Sequence, residues 1–339
     1  MIFDDSRNMS SVSDASIDLV VTSPPYPMIA MWDAAFAAMN PDIADALSAA
    51  QGAQAFELMH RELDRVWQEC VRALKPGGIM CINVGDAVRT VAGEFQMYAN
   101  HARVINSLHR LGLAQLPDIL WRKPTNAPNK FMGSGMLPVG AYVTYEHEYI
   151  LIFRKGQRRD FDSKDDKHKR RMSAFFWEER NKWFSDIWDD VTGSTQALID
   201  RSARQRSAAF PFEIAYRLIC MHSIYGDTVL DPFCGTGTTM TAAIAAARSS
   251  IGIEIDEGLR ATITASVDGA VALGANRVRT RLCEHEKFVA AGRLMKYRNA
   301  YHGFSVVTSQ ETDLVLLAPY NRTQLTADVW QVEHEPLAS

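Results

Sequence analysis

The chain contains the stretch Thr228-Val229-Leu230-Asp231-Pro232-Phe233-Cys234-Gly235-Thr236-Gly237-Thr238-Thr239, followed by the Ala-rich segment Met240 to Ala247 and by Ile251-Gly252-Ile253-Glu254-Ile255. The apolar run predicts a short buried strand, the two glycines predict a tight loop, and the alanines predict a helix before a second strand. Strand, helix and strand in this order form a βαβ unit. We therefore predict an α/β fold that is doubly wound, with a mostly parallel sheet and helices on both faces.

The loop at residues 231–239 has the features of a ligand site. Gly235 and Gly237 let the backbone approach a ligand closely, and the following helix presents free N–H groups. No Gly-Lys-Ser/Thr sequence follows, which excludes a phosphate-binding P-loop, and Met240 leaves the dinucleotide pattern incomplete. A nucleoside-like ligand fits better, because Glu254 stands where doubly wound folds place an acidic side chain for ribose hydroxyls. The alternative is a tight turn followed by a solvated glutamate.

A second apolar run, from Ser16 to Thr22, stops at Ser23-Pro24-Pro25-Tyr26. It predicts a buried strand that ends in a rigid loop whose proline carbonyls have fixed directions. The Ser23 hydroxyl and a proline carbonyl would accept hydrogen bonds from the exocyclic amine of a nucleobase and direct its lone pair at an electrophile. The Tyr26 ring would stack on the flipped base. The alternative is a proline-stiffened strand end with a packed tyrosine.

The segments between these two motifs also alternate between helical and extended patterns. We predict a helix from about Pro41 to Leu74, a strand at 79–84, a helix at 97–111 and a strand at 142–153. Nine basic residues and four aspartates then lie between Arg154 and Arg171, before an aromatic-rich stretch. This composition indicates an inserted surface segment.

The two motifs together resemble the catalytic and cofactor motifs of the S-adenosylmethionine-dependent DNA amino-methyltransferases. Their order, with the catalytic motif first and the variable segment between them, resembles the beta class of these bacterial modification enzymes. Three further segments are similar to the family: Asp5-Ser6-Arg7, Leu120 to Pro124 with Glu146-His147-Glu148, and Phe210 to Glu213.

The resemblance implies S-adenosylmethionine as the cofactor and duplex DNA as the substrate. The target base would be handled by Ser23, Pro24, Pro25 and Tyr26. The cofactor would be bound by Asp5 near its adenine, by Glu254 at its ribose, and at its methionine end by Asp231, Phe233, Gly235, Gly237 and Thr238. In the family Ser-Pro-Pro-Tyr is usual for cytosine N4 methylation and Asp-Pro-Pro-Tyr for adenine N6 methylation, so the resemblance favours cytosine, with adenine as the alternative.

The basic segment lies where the beta class carries its target-recognition region. By that resemblance the DNA-binding residues would be Arg154, Lys155, Arg158, Arg159, Lys169, Arg170, Arg171 and Arg204. A solvated charged loop is the alternative. The predicted domain parts are 1–153 (catalytic), 154–206 (target recognition), 207–280 (cofactor binding) and 281–339, an extension of unassigned role.

Composition limits the other possibilities. The 339 residues carry a formal net charge of −4, which argues against a uniformly basic nucleic-acid coat. Five widely spaced cysteines without a Cys-x-x-Cys pair indicate neither a disulfide framework nor a metal site, and no segment reads as a membrane span. We expect a cytoplasmic enzyme. A cognate restriction endonuclease and a second copy of the chain, in a homodimer, are its candidate partners. An RNA amino-methyltransferase and a non-catalytic DNA-binding module remain open.

Overall fold

The computed structural model describes residues 1–123, 132–192, 210–292 and 295–338. Within these residues the strands, in chain order, are β1 (Ile2–Phe3), β2 (Ile17–Thr22), β3 (Leu74–Val84), β4 (Ala87–Val91), β5 (Glu94–Tyr98), β6 (Leu113–Gln115), β7 (Ile119–Arg122), β8 (Met132–Gly133), β9 (Ala141–Tyr142), β10 (His147–Lys155), β11 (Ile187–Trp188), β12 (Thr228–Asp231), β13 (Ser249–Glu254), β14 (Tyr297–Arg298), β15 (Ser305–Val306), β16 (Leu317–Thr326) and β17 (Val329–Pro336).

One sheet of nine strands dominates this part of the chain, in the order β1-β13-β12-β2-β3-β10-β7-β11, with β6 paired to β10. Strands β1, β13, β12, β2 and β3 pair in parallel, whereas β10 runs antiparallel to β3, β6 and β7. The mostly parallel sheet is therefore confirmed. We call the edge where β2, β3, β12 and β13 end the carboxyl edge, and the opposite edge the amino edge.

The helices of the described residues cover both faces of the sheet. They are α1 (Asp33–Met39), α2 (Asp42–Ser48), α3 (Gly52–Ala73), α4 (Asn100–Arg110), α5 (Lys164–Met172), α6 (Trp177–Trp183), α7 (Phe212–His222), α8 (Thr238–Ala245) and α9 (Arg260–Ala290). Because side chains alternate along a strand, Val20 packs with α1 to α4, while Leu19 and Val21 pack with α7 and α8. Burial on both faces explains why β2 is an unbroken apolar run, and it confirms the doubly wound fold. None of these helices has the length and apolar character that a bilayer crossing requires.

Several element boundaries differ from the sequence predictions. The helix expected from Pro41 to Leu74 is two helices, α2 and α3, because the chain turns at Ala50, which has a φ of 56°. The strand expected from Tyr142 begins at His147 as β10, and Tyr142 instead pairs with Met132 in a short hairpin. Helix α9 runs through the predicted domain boundary at residue 280.

The predicted insertion at 154–206 is partly built into the core. Its strand β11 pairs with β7, and Trp183 and Trp188 are buried among the side chains of α7. Large aromatic rings bury more apolar surface than other side chains, so these tryptophans stabilise this face of the sheet. Their burial rules them out as side chains that read DNA bases.

The basic run after β10 lies at the amino edge of the sheet. Lys155 Nζ donates to the Val71 and Leu74 carbonyls, where β3 begins. Arg159 pairs with Asp227 at 2.7 Å and with Asp18 at 3.5 Å, just before β12 and at the start of β2. Strand β10 runs antiparallel to β3 and therefore ends at the amino edge, away from the Ser-Pro-Pro-Tyr loop. The basic residues at its end and after it are Arg154, Lys155, Arg158, Arg159, Lys169, Arg170 and Arg171. The structure thus places the described members of the predicted DNA-binding set at the amino edge, and Arg204 lies outside the described residues.

The last described residues of the chain pack beside the part of the sheet that contains β12 and β13. Strands β16 and β17 form a hairpin that packs on α9. Two ion pairs join them, Arg322 with Asp268 and Arg260 with Asp328. His334 also hydrogen-bonds the Ile244 carbonyl of α8 at 2.7 Å. The hairpin is therefore packed onto the sheet and its helices rather than separate from them.

Candidate active site

The loops that follow β2 and β12 open into one cavity at the carboxyl edge, with a volume of about 350 Å³. Adjacent parallel strands end at the same edge, so two motifs far apart in sequence meet there. The predicted residues that line the cavity are Asp5, Ser23, Pro24, Pro25, Asp231, Phe233, Gly235, Thr238 and Glu254. Gly237 and Tyr26 are not among the lining residues.

Asp231 holds the two loops together. Its buried carboxylate accepts hydrogen bonds from the Thr22 and Thr239 hydroxyls, both at 2.6 Å, and from the Phe233 N–H at 3.0 Å. Burial raises the pKa of this carboxyl, and these donors oppose the rise. Gly237, with a φ of 84°, occupies the left-handed region immediately before α8, a conformation that favours glycine.

Glu254 lies at the end of β13 on the wall of the same cavity. One carboxylate oxygen accepts the Gly235 N–H at 2.8 Å, and the other accepts the Asp256 N–H at 2.9 Å. Burial raises the pKa of Glu254 above its usual range, and the two N–H donors oppose that rise. Each oxygen keeps a lone pair that is free to accept from a hydroxyl, which is what ribose recognition requires.

Asp5 reaches the cavity from the N-terminal segment, fixed by an arginine. Arg7 pairs with Asp5 and with Glu62 of α3, each at 2.6 Å. Burial raises the pKa of Asp5, but the Arg7 guanidinium outweighs it and the net pKa is lowered. Arg7 and Glu62 line the cavity as well and were not predicted. Glu62 gave no sequence signal, because it reads as one charged residue of an amphipathic helix.

A hydrogen-bond network, which we call the tyrosine network, lies behind the Ser-Pro-Pro-Tyr loop. It comprises Ser23, Tyr26, Asn83, Lys123 and Glu148. The Tyr26 hydroxyl donates to Glu148 Oε2 at 2.9 Å, and Asn83 Nδ2 donates to the same oxygen at 2.6 Å and to the Tyr26 oxygen at 2.9 Å. Lys123 Nζ pairs with Glu148 Oε1 at 2.7 Å. Asn83 and Glu148 are only 1% and 7% exposed.

The network determines which way the Ser23 hydroxyl points its hydrogen. Burial raises the pKa of Tyr26 well above its usual value, so the phenol keeps its single hydrogen, which Glu148 accepts. The 3.0 Å contact between Ser23 Oγ and the Tyr26 oxygen must then use the hydrogen of Ser23. Both lone pairs of Ser23 Oγ therefore remain available as acceptors on the cavity side.

The position of Tyr26 differs from the prediction that its ring stacks on a base. The ring packs against Gly85, where an added Cβ would lie 3.0 Å from Tyr26 Cε2, and its hydroxyl is held in the tyrosine network. Three aromatic side chains line the cavity, Trp32, Phe210 and Phe233, and Trp32 lies beside Met31 in the segment after the loop. Tyr26 is thus a partly buried residue in contact with Ser23, and Trp32 is one of the rings that face the cavity.

The comparisons with known proteins agree with this geometry. A family model described as DNA methylase, covering N6 and N4 enzymes, matches residues 17–265. The chain belongs to this DNA methylase family. It is 49% identical over 318 residues to the Type II methyltransferase M.MthZI of Methanothermobacter thermautotrophicus, covering 94% of this chain and 89% of the relative. It is 50% identical over 275 residues to the Type II methyltransferase M.MjaI of Methanocaldococcus jannaschii, covering 78% and 89%.

A solved structure extends the comparison to the cofactor. The protein TTHA0409 of Thermus thermophilus, in complex with S-adenosyl-L-methionine, is 30% identical with a TM-score of 0.61 and covers 80% of this chain and 93% of its own. This DNA methylase is thus an amino-methyltransferase that uses S-adenosylmethionine. The residues present fit that cofactor, because the Glu254 carboxylate and the Gly235 loop adjoin the Ser23-Pro24 loop in one cavity.

Proposed function

We propose that this DNA methylase transfers a methyl group to the N4 amine of cytosine in duplex DNA. The observation that supports an exocyclic amine as the acceptor is the orientation of Ser23, whose lone pairs are free while its hydrogen is held by Tyr26. The choice of cytosine rests on the Ser-Pro-Pro-Tyr resemblance. Adenine N6 is the alternative base, with the same acceptor chemistry.

In the proposed mechanism the chain acts chiefly by orientation. S-adenosylmethionine supplies an electrophilic methyl group when bound. When the cofactor is bound, Glu254 would accept hydrogen bonds from its ribose hydroxyls, Asp5 would lie near its adenine, and Asp231, Phe233, Gly235, Gly237 and Thr238 would hold its methionine end. Ser23 Oγ and the Pro24 carbonyl accept hydrogen bonds from the two amine hydrogens, which turns the nitrogen lone pair toward the methyl group. Pro25 fixes the loop and Trp32 stacks on the flipped base.

Mass spectrometry of nucleosides tests the proposed base. Duplex DNA of mixed sequence is incubated with the protein and S-adenosylmethionine, then digested to nucleosides. We expect N4-methylcytosine. N6-methyladenine would overturn the choice of base, and methylation of RNA alone would overturn DNA as the substrate.

Replacing Glu254 by glutamine is expected to weaken cofactor binding by about 10–100-fold, since a hydrogen bond to a charged group contributes about 1.5–3 kcal/mol. The glutamine amide keeps the size of the side chain but loses one acceptor oxygen. The measurement is the Kd for S-adenosylmethionine by calorimetry. An unchanged Kd would remove Glu254 from the ribose site.

The pH dependence of the same Kd provides a control. Only the ionised carboxylate accepts on both oxygens, and burial raises its pKa, so affinity should fall as the pH drops through that raised pKa. The fall should begin at a higher pH than an exposed glutamate would give. The Glu254→Gln variant should lack this pH dependence.

We also propose that a restriction endonuclease of the same sequence specificity accompanies this enzyme, because its relatives M.MthZI and M.MjaI are Type II methyltransferases. DNA methylated by the protein should resist that endonuclease. A cytoplasmic location fits a DNA substrate. A homodimer is tested by light scattering, in which a monomer mass would exclude it.

A further inference from the structure

A second, larger cleft lies at the amino edge, on the far side of the sheet from the candidate active site. Its volume is about 890 Å³. We call it the basic cleft, because its lining includes the cations Arg154, Arg158, Lys167, Arg170 and Arg180. It contains none of the residues that line the active-site cavity.

These five cations carry no carboxylate partner within the described residues. Arg154 and Lys167 contact only the backbone carbonyls of Gly156 and Asp162, and Arg180 lies over the Phe184 ring. Neighbouring cations differ, since Arg159 pairs with Asp227 and Arg171 with Asp313. The unpaired positive charge is therefore concentrated on the cleft wall.

The acidic residues of the cleft lining are already bound by other groups. Asp18 and Asp227 are paired with Arg159, and Lys75 also contacts Asp18 at 2.8 Å. Glu311 is buried and accepts from the Trp177 N–H and from Thr308. These carboxylates do not neutralise the five cations, so the cleft attracts anions.

Two aromatic groups add to the fit. The Phe161 ring lies against the guanidinium groups of both Arg159 and Arg170, at 4.9 and 4.6 Å from its centroid, which fixes the planes of these donors. His222 also lines the cleft, and its Nε2 is buried without a hydrogen-bond partner in the described part of the chain. Burial lowers the pKa of His222 to about 4, so the ring stays neutral near pH 7.

We propose that the basic cleft binds the phosphate backbone of a second nucleic-acid segment, separate from the duplex whose base enters the active site. Unpaired arginines are the usual donors to phosphate oxygens. Strand β2 alone spans about 20 Å between the two edges at roughly 3.3 Å per residue. Duplex DNA is stiff over about 150 base pairs, so a short target duplex held at the carboxyl edge cannot bend around the sheet to contact the cleft.

This second contact concerns DNA outside the target site, and it holds for either target base. A long DNA molecule bound at two places would dissociate more slowly, because the second contact is intramolecular. Free polyphosphate offers the same chemistry in a small molecule. The experiment therefore measures the binding of both duplex DNA and tripolyphosphate.

The test compares the triple variant Arg154→Ala, Arg158→Ala, Arg170→Ala with a control triple variant, Arg61→Ala, Arg110→Ala, Arg279→Ala. Both remove three positive charges, from side chains that are exposed except for the half-buried Arg154, and the control residues lie on α3, α4 and α9. Binding to duplexes of about 15 and about 1,000 base pairs, each with one target site, is measured over a range of salt concentrations, because only a duplex of several persistence lengths bends back easily to the cleft.

For the long duplex we expect the cleft variant to bind at least about tenfold more weakly than the control, and the slope of log K against log salt to decrease by about 2–3. Binding to the short duplex and kcat at saturating DNA should match the control. Slopes equal to those of the control would overturn the proposal. So would loss of tripolyphosphate binding with unchanged binding to long DNA, which would identify a small-molecule site.

Methyl transfer is scored separately from binding, so the two proposals fail in different ways. If no DNA is methylated, the proposed function fails while the salt slopes still test the cleft. If cytosine is methylated but the slopes are unchanged, only the cleft proposal fails. A kcat loss on the short duplex would overturn the cleft's separation from the active site.

Discussion

Replacing Ser23 by alanine is expected to lower kcat by about 10²–10³-fold, the usual effect of losing one oriented hydrogen-bonding group at a reacting centre. The alanine cannot accept from the amine, so the nitrogen lone pair stays delocalised in the base. Ser23 does not bind the cofactor in the proposed mechanism. The Kd for S-adenosylmethionine should therefore change by no more than about twofold.

Single-turnover kinetics measure this effect, because they separate methyl transfer from product release. Ser11→Ala is the matched control, since Ser11 is exposed and lies before β2. Equal losses of turnover and cofactor affinity in Ser23→Ala would contradict the role of Ser23 as an acceptor.

Replacing Glu148 by alanine is expected to lower both turnover and stability. Tyr26 and the buried Asn83 lose their shared acceptor, although Asn83 keeps the Tyr26 oxygen, so we expect a cost of about 1–3 kcal/mol of the free energy of unfolding. Tyr26 is then free to donate its hydrogen to Ser23, which removes one of the Ser23 lone pairs. We expect kcat to decrease by about 10–100-fold with little change in KM for DNA.

Glu148 acts through Tyr26 and is a positioning residue, so the test needs a variant that keeps the geometry. Glu148→Gln retains an oxygen that accepts from Tyr26 and Asn83, and it should restore most of the lost turnover. Tyr26→Phe should leave stability closer to the wild type while still lowering kcat. If Glu148→Ala lowers the melting temperature but leaves kcat unchanged, the network has only a structural role.

The sequence was sufficient to predict the parts of the fold that are determined locally. The βαβ unit from Thr228 to Glu254 follows from apolar runs and glycines, and its strand β12 has the predicted bounds. Two motifs at the ends of parallel strands meet at one edge, which places Ser23 beside Asp231. These arguments need only the side-chain pattern and the chirality of the fold.

Strand direction and distant contacts were not predictable in this way. The apolar pattern of β10 is the same whichever way it runs, so nothing in the sequence indicated that the basic run would lie at the amino edge. The tyrosine network joins Tyr26, in the loop after β2, to Asn83 near the end of β3 and to Glu148 near the start of β10. Glu148 falls in a segment that resembles the family, but its contacts could not be derived from the sequence, because its partners are more than twenty residues away.

The Thr22 hydroxyl that binds Asp231 links the two loops of the cavity and provides a route for coupling between them. Thr22 directly precedes Ser23, and Asp231 opens the loop that we propose contacts the methyl donor. A shift of Asp231 on binding of one substrate would be transmitted through this 2.6 Å contact to the residue that precedes Ser23's acceptor site for the other. Thermodynamic linkage then requires the effect to be reciprocal: whatever factor the methyl donor contributes to the affinity for the flipped base, the base contributes to the affinity for the donor.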